Sequence, residues 1–186
     1  SWDNYRNNRT KRWMSINWGY QVDGRFESYE DIQDYTIDND GKGNQTMLPG
    51  DLKFKDVNQD GVISSLDERP IGYNASYNPV VSFGLNTTFA YKGFDLVMNF
   101  AGATAQSYKM SWEGAYPFQG DGNSTRYLLT DCWHRADPTD ANSDWIPGYF
   151  PATRQAGNNV SFNRHSTFWL HNVSYIKLRT LEFGYN

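Results

Sequence analysis

The feature that most constrains the fold is a long alternation of apolar residues with small or polar ones between Val80 and Gly102. Successive side chains of a strand point to opposite faces, so the pattern predicts two strands of roughly ten residues each. Lys92 and Gly93 form the link between them, and a glycine there supplies the positive φ that tight hairpins require. One face is then largely apolar: Val81, Phe83, Leu85, Phe89 and Tyr91, followed by Phe94, Leu96, Met98 and Phe100.

This hairpin fits either a soluble β-sheet or a membrane-spanning barrel. Its strands are close to the roughly 9–11 residues that cross a bilayer at a tilt. The opposite face is small and polar, as in a barrel lumen, and Tyr91 and Phe94 flank the turn, where an interfacial girdle would lie. A soluble sandwich also alternates, so the pattern alone leaves both architectures open.

A second long strand is predicted near the C-terminal end of the chain. Its apolar residues fall into two parities: Ile176 and Leu178, then Leu181, Phe183 and Tyr185. A β-bulge or break is therefore needed between Lys177 and Thr180.

Shorter elements are predicted elsewhere. Alternation from Met14 to Tyr20 and from Leu52 to Phe54 indicates short strands. Ser28 is placed to cap a turn of helix that reaches about Gln33. Residues 111–163 have no sustained periodicity, and loops of that length usually form functional surfaces.

Composition excludes several classes of protein. The net charge is −4, which gives no basic surface for nucleic acid. The single cysteine, Cys132, excludes a disulfide framework and a multi-cysteine metal site. Aromatic residues make up 17% of the chain, far more than disordered chains contain.

The most specific motif is DVNQDGVISSLD, residues 56–67, which fits the calcium-loop pattern D-x-[DN]-x-[DN]-G. The predicted ligands are side-chain oxygens of Asp56, Asn58, Asp60, Ser64 and Asp67 and the backbone carbonyl of Val62. Such hard oxygen donors suit Ca²⁺, which would stiffen the loop. Pro70 follows closely and makes a long exiting helix implausible, so this is not a paired-helix calcium sensor. A loop rich in Asx-turns that holds no metal is the alternative.

The order of these motifs resembles the C-terminal barrel region of SusC/RagA-type TonB-dependent transporters. The resemblance rests on four successive segments: GYQVDGRFESYEDI, PGDLKFKDVNQDGVISSLDERPIGYNASYNPVVSFGLNTTFAYKGFDLVMNFAG, CWHRADPTD and TFWLHNVSYIKLRTLEFGYN. Together they cover most of the chain, from Gly19 to Asn186, and their order is more specific than any single piece. CWHRADPTD departs at most positions from the family's R-W-T-P-E-N-P element.

The resemblance implies an all-β fold that is part of a large, 22-stranded antiparallel transmembrane β-barrel with long extracellular loops. Residues 1–186 would supply a few of its strands, and the chain is expected to be a fragment without the plug or the TonB-contacting segment. The implied function is import of oligosaccharides or peptides across the outer membrane of a Gram-negative, Bacteroidota-type bacterium. The implied partners are the TonB complex, outer-membrane lipid and a SusD-like surface lipoprotein that closes the mouth.

The resemblance also places residues 56–67 and 111–163 outward, near ligand and lid. Trp133 and Trp145 are the candidates for contact with either, because aromatic rings stack on sugars and are common at interfaces. Most of the aromatic residues of the long segment are predicted to pack within it or against the lid protein. The alternative function is a soluble extracellular β-domain with structural calcium that binds carbohydrate or a protein partner. No catalytic constellation is present, so an enzyme is not predicted.

Overall fold

A computed structural model of the chain describes residue 12 and residues 15–74, 78–118, 122–154 and 160–186. Its strands are β1 Ile16–Gly19, β2 Val22–Arg25, β3 Leu52–Phe54, β4 Arg69–Asn74, β5 Val81–Tyr91, β6 Phe94–Thr104, β7 Ser107–Lys109, β8 His134–Arg135, β9 Trp145–Ile146, β10 Leu170–Asn172 and β11 Tyr175–Tyr185. Its α-helices are α1 Tyr29–Asp34, α2 Arg126–Thr130 and α3 Val160–Asn163, and Ser65–Asp67 and Trp112–Gly114 form single 3₁₀ turns. The structure is mostly β, as predicted. Within the described ranges, no helix has the length and apolar character needed to span a membrane.

The strands form several small sheets. One has three strands in the order β11–β6–β5, and four have two strands each: β1–β4, β2–β3, β7–β10 and β8–β9. In the part of the chain that the structure describes, these sheets stay open and do not close into a barrel. The chain divides into two compact units. The loop unit consists of the described residues within Ser1–Arg12, Trp18–Ile71 and Lys109–Leu170, and the sheet unit of those within Trp13–Asn17, Gly72–Tyr108 and His171–Asn186.

The sheet unit contains the predicted hairpin. Strands β5 and β6 are 11 residues each and pair antiparallel from Tyr91–Phe94 to Val81–Thr104. Both turn residues have positive φ, 46° at Lys92 and 82° at Gly93. That combination matches the right-handed twist of the flanking strands and is typical of two-residue hairpins, so the predicted turn is confirmed.

The predicted bulge lies in β11. Leu178 pairs with Phe100 and Thr180 with Asn99, so Arg179 is an extra residue in the ladder. Without it, the two halves of the strand would present their apolar residues on opposite faces. The bulge therefore brings Ile176 and Leu178 to the same face as Leu181.

The two faces of this three-stranded sheet differ in chemistry. Apolar side chains on one face are strongly exposed, with Phe89 58%, Leu181 61% and Phe183 70% accessible. The other face is small and polar and includes the cross-strand row Asn86–Asn99–Thr180. A soluble protein normally buries an apolar sheet face of this size, so the exposed face needs an apolar surrounding.

The loop unit has its own core. Phe26, Ile32 and Met47 form one buried cluster, and Leu52, Phe54 and Ile63 form another. A third cluster comes mainly from the long segment for which no periodicity was predicted: Ala115, Leu128, Cys132, Phe150 and Phe162, joined by Trp169. That segment is therefore not only a surface loop. Its buried residues come from short helices and irregular backbone, which leave no regular spacing in the sequence.

The shorter predicted elements are present. Ser28 caps α1, because its hydroxyl accepts a hydrogen bond from the Asp31 N–H at 3.1 Å. The strand predicted from Leu52 to Phe54 is β3, and the strand predicted from Met14 to Tyr20 is β1. Met14 itself lies outside the described residues.

A buried carboxylate links distant parts of the loop unit. Asp51 is fully buried and accepts hydrogen bonds from the Leu48 N–H at 2.8 Å, the Ser161 hydroxyl at 3.0 Å and the Arg154 guanidinium. Burial raises the pKa of Asp51, while the positive charge of Arg154 opposes that rise. Ser161 also accepts from the Leu52 N–H at 3.0 Å, so the network fixes residues 48–52 against Arg154 and Ser161.

Candidate functional site

The acidic loop at residues 56–67 is held by side-chain to backbone hydrogen bonds. The Asp56 carboxylate accepts from the N–H groups of Gln59 at 2.7 Å and Gly61 at 2.8 Å. Asp60 accepts from the Val62 N–H at 2.9 Å and from the Asn58 side-chain amide at 2.7 Å. Gln59 and Gly61 both have positive φ, 62° and 81°. These are Asx-turns, in which short acidic side chains replace backbone partners.

Asp67 closes the loop from its far end. It is fully buried and accepts from the N–H groups of Val57 at 2.8 Å, Asn58 at 3.3 Å and Ser64 at 2.8 Å. Ser64 in turn accepts from the Leu66 N–H, so Ser64 and Asp67 form a capping box. A carboxylate has about four acceptor positions, and three backbone donors already occupy most of them.

The structure thus brings Asp56, Asn58 and Asp60 together in one turn and directs Asp67 to the backbone. In the described part of the chain, no three His, Cys, Asp or Glu side chains are grouped so as to hold a metal ion. Asn58, Ser64 and the Val62 carbonyl, which belong to the predicted set, are outside those four residue types. The predicted calcium site stays a prediction.

A second acidic loop, residues 38–46, lies beside the first. The sequence pattern did not reveal this second loop. Asp40 accepts from the N–H groups of Lys42, Asn44 and Thr46 and from the Thr46 hydroxyl at 2.6–2.9 Å. Burial would raise the pKa of Asp40, but these hydrogen bonds outweigh it and lower the pKa to about 2. Asp38 pairs with Val62 through a parallel bridge, which joins the two loops.

Arg164 locks the two loops to each other. Its guanidinium donates to the carbonyls of Asn39 at 2.8 Å and Ile63 at 3.1 Å, and it lies over the rings of Tyr20 and Phe54. Burial lowers the pKa of Arg164, and nearby acidic groups oppose that shift. Arg164 is about a hundred residues from these loops in sequence, so no local pattern could have revealed it.

The two candidate tryptophans lie in different surroundings. Trp133 is 8% exposed and packs against Gly50, where any side chain would overlap its ring. Trp145 is half-buried in β9 and faces Tyr29, with ring centroids 6.5 Å apart. Arg135 lies over both of these rings, 5.0 Å from the Trp145 centroid and 6.0 Å from the Tyr29 centroid. Ligand or lid contact by Trp133 and Trp145 stays a prediction, and Trp145 lines an open cleft.

The chain is similar to known proteins over most of its length. No protein-family model matches the chain. It is 30% identical over 170 residues to TonB-dependent receptor P3 of Formosa agariphila, and that match covers 88% of the chain and 15% of the receptor. It is 28% identical over 171 residues to TonB-dependent receptor P26 of the same organism, covering 90% of the chain and 15% of that receptor.

The chain therefore spans about one seventh of the length of the curated relatives that it matches. Over nearly all of its own length, it is a distant homologue of a segment of TonB-dependent receptors.

Proposed function

We propose that the chain is a barrel segment of a SusC-like TonB-dependent transporter, which imports oligosaccharides or peptides together with a SusD-like surface lipoprotein. In this proposal the sheet unit forms part of the wall of a large transmembrane barrel in the outer membrane of a Bacteroidota-type bacterium. The TonB complex would act on parts of the whole protein other than this segment. Similarity to two TonB-dependent receptors supports the proposal.

The observation that carries it is the exposed apolar face of β5, β6 and β11. Phe83, Leu85 and Phe89 alternate with Gly84, Asn86 and Thr88, so one face suits lipid and the other suits a water-filled lumen. The strands are 11 residues long, which is enough to cross the apolar layer at a tilt. In water, exposed apolar area costs about 25 cal/mol per Å², so this face would strongly favour a bilayer.

Cysteine labelling of neighbouring residues tests this orientation. Leu85→Cys and Asn86→Cys sit at the same depth on opposite faces, and they are made in a background in which Cys132 and any other cysteine of the whole protein are replaced by serine. The whole protein in outer-membrane vesicles is treated with a membrane-impermeant maleimide. We expect Asn86→Cys to label on the order of tenfold faster, because the reactive thiolate forms in water and not in lipid.

Labelling of both variants in detergent-denatured protein gives the maximum signal and the control for intrinsic reactivity. Equal labelling of the two positions in vesicles would contradict the proposed orientation. Recovery of the whole protein in the soluble fraction would instead favour the alternative, a soluble extracellular β-domain that binds carbohydrate or a protein partner.

The partner and cargo require separate experiments. Affinity purification of the whole protein in mild detergent should recover a SusD-like lipoprotein at close to equal amounts. Deletion of the parent gene should abolish growth on the cargo and leave growth on small monosaccharides and free amino acids intact. Normal growth on every oligosaccharide and peptide mixture tested would count against nutrient import.

We further propose that the loop at residues 56–67 holds a structural Ca²⁺ through Asp56, Asn58, Asp60, Val62, Ser64 and Asp67. The donor set supports this, since all six offer oxygen and the carboxylates offset the charge of the ion. Asp56 and Asp60 lie in one turn, stabilised by Gly61 at the position that calcium loops reserve for glycine. Asp67 already secures the loop through the backbone, so it contributes to the fold whether or not the ion is bound.

Calcium binding is tested by the shift in melting temperature between excess Ca²⁺ and excess chelator. We expect calcium to raise the melting temperature of the wild type but not that of Asp60→Ala, which lacks one of the proposed ligands. Asp60 is exposed, so its replacement leaves the core intact. Asp67→Asn should lower the melting temperature with and without calcium. A melting temperature independent of calcium in the wild type would remove the metal from the proposal.

A further inference from the structure

A cleft of about 530 Å³ lies in the loop unit, between the start of α1 and the β8–β9 hairpin. Its walls include aromatic and charged side chains from both sides: Glu27, Tyr29 and Glu30 from the first, and Arg135, Asp144 and Trp145 from the second. All of these residues belong to one unit, so the cleft is a property of that unit alone.

The aromatic wall is fixed in place. The rings of Tyr29 and Trp145 meet at 67° with their centroids 6.5 Å apart, and Arg135 lies over both. The Arg135 guanidinium also donates to the Tyr29 hydroxyl at 2.9 Å. Tyr29 is still 40% exposed, so part of its surface is open to a ligand.

Arg135 is bonded to its own chain through both of its terminal amino groups. Besides the Tyr29 hydroxyl, its guanidinium donates to the carbonyls of Ala141, Asp140 and Ser143. These bonds hold the Nη1 group inside the hairpin, and the Tyr29 hydroxyl holds the Nη2 group. Arg135 is therefore a scaffold of the cleft.

The other charged side chains that line the cleft are negative. Glu27, Glu30 and Asp144 line the cleft against the single guanidinium, which gives these four groups a net charge of −2. Hydrogen bonds from its own backbone and from Ser28 lower the pKa of Glu30, so this carboxylate is ionised at neutral pH. Carboxylates beside an exposed aromatic ring form the arrangement that attracts ammonium and guanidinium groups.

We propose that this cleft binds an organic cation, an ammonium or guanidinium group that contacts the Tyr29 and Trp145 wall and pairs with Glu30 and Asp144. Such a group is present in the side chains of lysine and arginine and in amino sugars. This site goes beyond the proposed transport function. Binding of a cation to the cleft can be measured on the purified protein in the absence of transport.

Binding is measured by calorimetric titration of the whole protein in detergent. One pair of probes is acetyl-lysine amide and its neutral counterpart acetyl-norleucine amide; a second pair is glucosamine and glucose. We expect the cation of at least one pair to bind about tenfold more tightly than its neutral partner, from a cation–π contact and two partly exposed ion pairs. The pair that responds identifies whether the cation comes from a peptide or from a sugar.

Two variants connect binding to the cleft. Glu30→Gln and Asp144→Asn each remove one exposed carboxylate and should weaken cation binding about threefold, with no change for neutral probes. Asp34→Asn, at the other end of α1, makes the same charge change outside the cleft and should bind like the wild type. Tyr29→Leu, which keeps an apolar side chain, should also weaken cation binding.

Equal affinity for the cation and its neutral partner in both pairs would overturn the proposal, as would no binding of either cation. Wild-type affinity in the Glu30→Gln and Asp144→Asn double variant would overturn it too. Normal growth of the deletion strain on every nutrient tested, with cation binding by the purified protein intact, would instead overturn the transport proposal, so the two failures are distinguishable.

Discussion

The ring of Phe83 on β5 covers Gly102, its cross-strand partner on β6, so closely that a methyl group on Gly102 would overlap the ring. Gly102 thus allows a bulky aromatic side chain to lie flat across the hairpin. The glycine is needed here for close approach, since its φ is not in the left-handed region.

Replacement of Gly102 by alanine should destabilise the sheet unit. Overpacking against a ring typically costs about 1–3 kcal/mol, and the Phe83 ring must shift to relieve the overlap. Gly84→Ala is the matched control, because a Cβ there would meet only a carbonyl at 3.7 Å, an ordinary contact. Denaturant unfolding of the detergent-solubilised protein should show a clearly lower free energy of unfolding for Gly102→Ala but not for Gly84→Ala. Equal decreases in the two variants would contradict the proposed overlap.

Gly50→Ala should destabilise the loop unit more than Gly43→Ala. Both glycines have positive φ, 91° and 67°, which costs an alanine about 1–2 kcal/mol. Gly43 has open space around its Cβ position, whereas Gly50 lies against the Trp133 ring. The difference between the two free energies of unfolding then measures the Trp133 contact. A difference near zero would show that Trp133 moves away without cost.

Lys92→Val should weaken the hairpin. A β-branched residue at a φ of 46° is strained by about 1–2 kcal/mol, and the variant also loses the contact of the Lys92 ammonium with the Tyr91 ring. Lys92→Asn removes the same contact but tolerates positive φ, so it should stay within about half a kcal/mol of the wild type. Thermal unfolding in detergent distinguishes the two, and similar losses in both would assign the effect to the ring contact.

Acid should destabilise the loop unit through Asp40. The folded-state pKa of about 2 lies below the ordinary value of 3.8, so the ionised carboxylate stabilises the fold above about pH 4. This contribution is lost as the pH falls from about 4 to about 2, where Asp40 becomes protonated in the folded state. The stability gap between the wild type and Asp40→Asn should therefore narrow over that range in denaturant unfolding. A gap that widens on acidification would contradict the hydrogen-bond network seen around Asp40.

The parts of the fold that follow from local periodicity could be predicted from the sequence. The hairpin, its turn at Lys92–Gly93 and the bulge near Arg179 all follow from alternation and parity, because one side-chain period governs them. The core of the long segment could not be predicted in this way. Leu128, Cys132 and Phe150 reach it from short elements with no common period.

The candidate sites also include features that could be predicted from local sequence and others that depend on residues far apart in the chain. The motif at residues 56–67 could be recognised because its predicted ligands are close together in the sequence. The structure adds that Asp67 accepts hydrogen bonds from backbone N–H groups. Arg135 and Tyr29 were missed as a pair, since they are 106 residues apart in sequence and meet only through tertiary folding. Arg164, which joins the two acidic loops, was missed for the same reason.

The extra residue in β11 has a consequence for sequence comparison. Two relatives that differ only by the presence of Arg179 would share every position on the apolar face and on the polar face of this strand, yet their sequences would fall out of phase by one residue. An ungapped alignment across residues 176–185 would then match residues on the apolar face of one protein with residues on the polar face of the other. The position of a single-residue gap in this strand thus records which homologues keep the bulge.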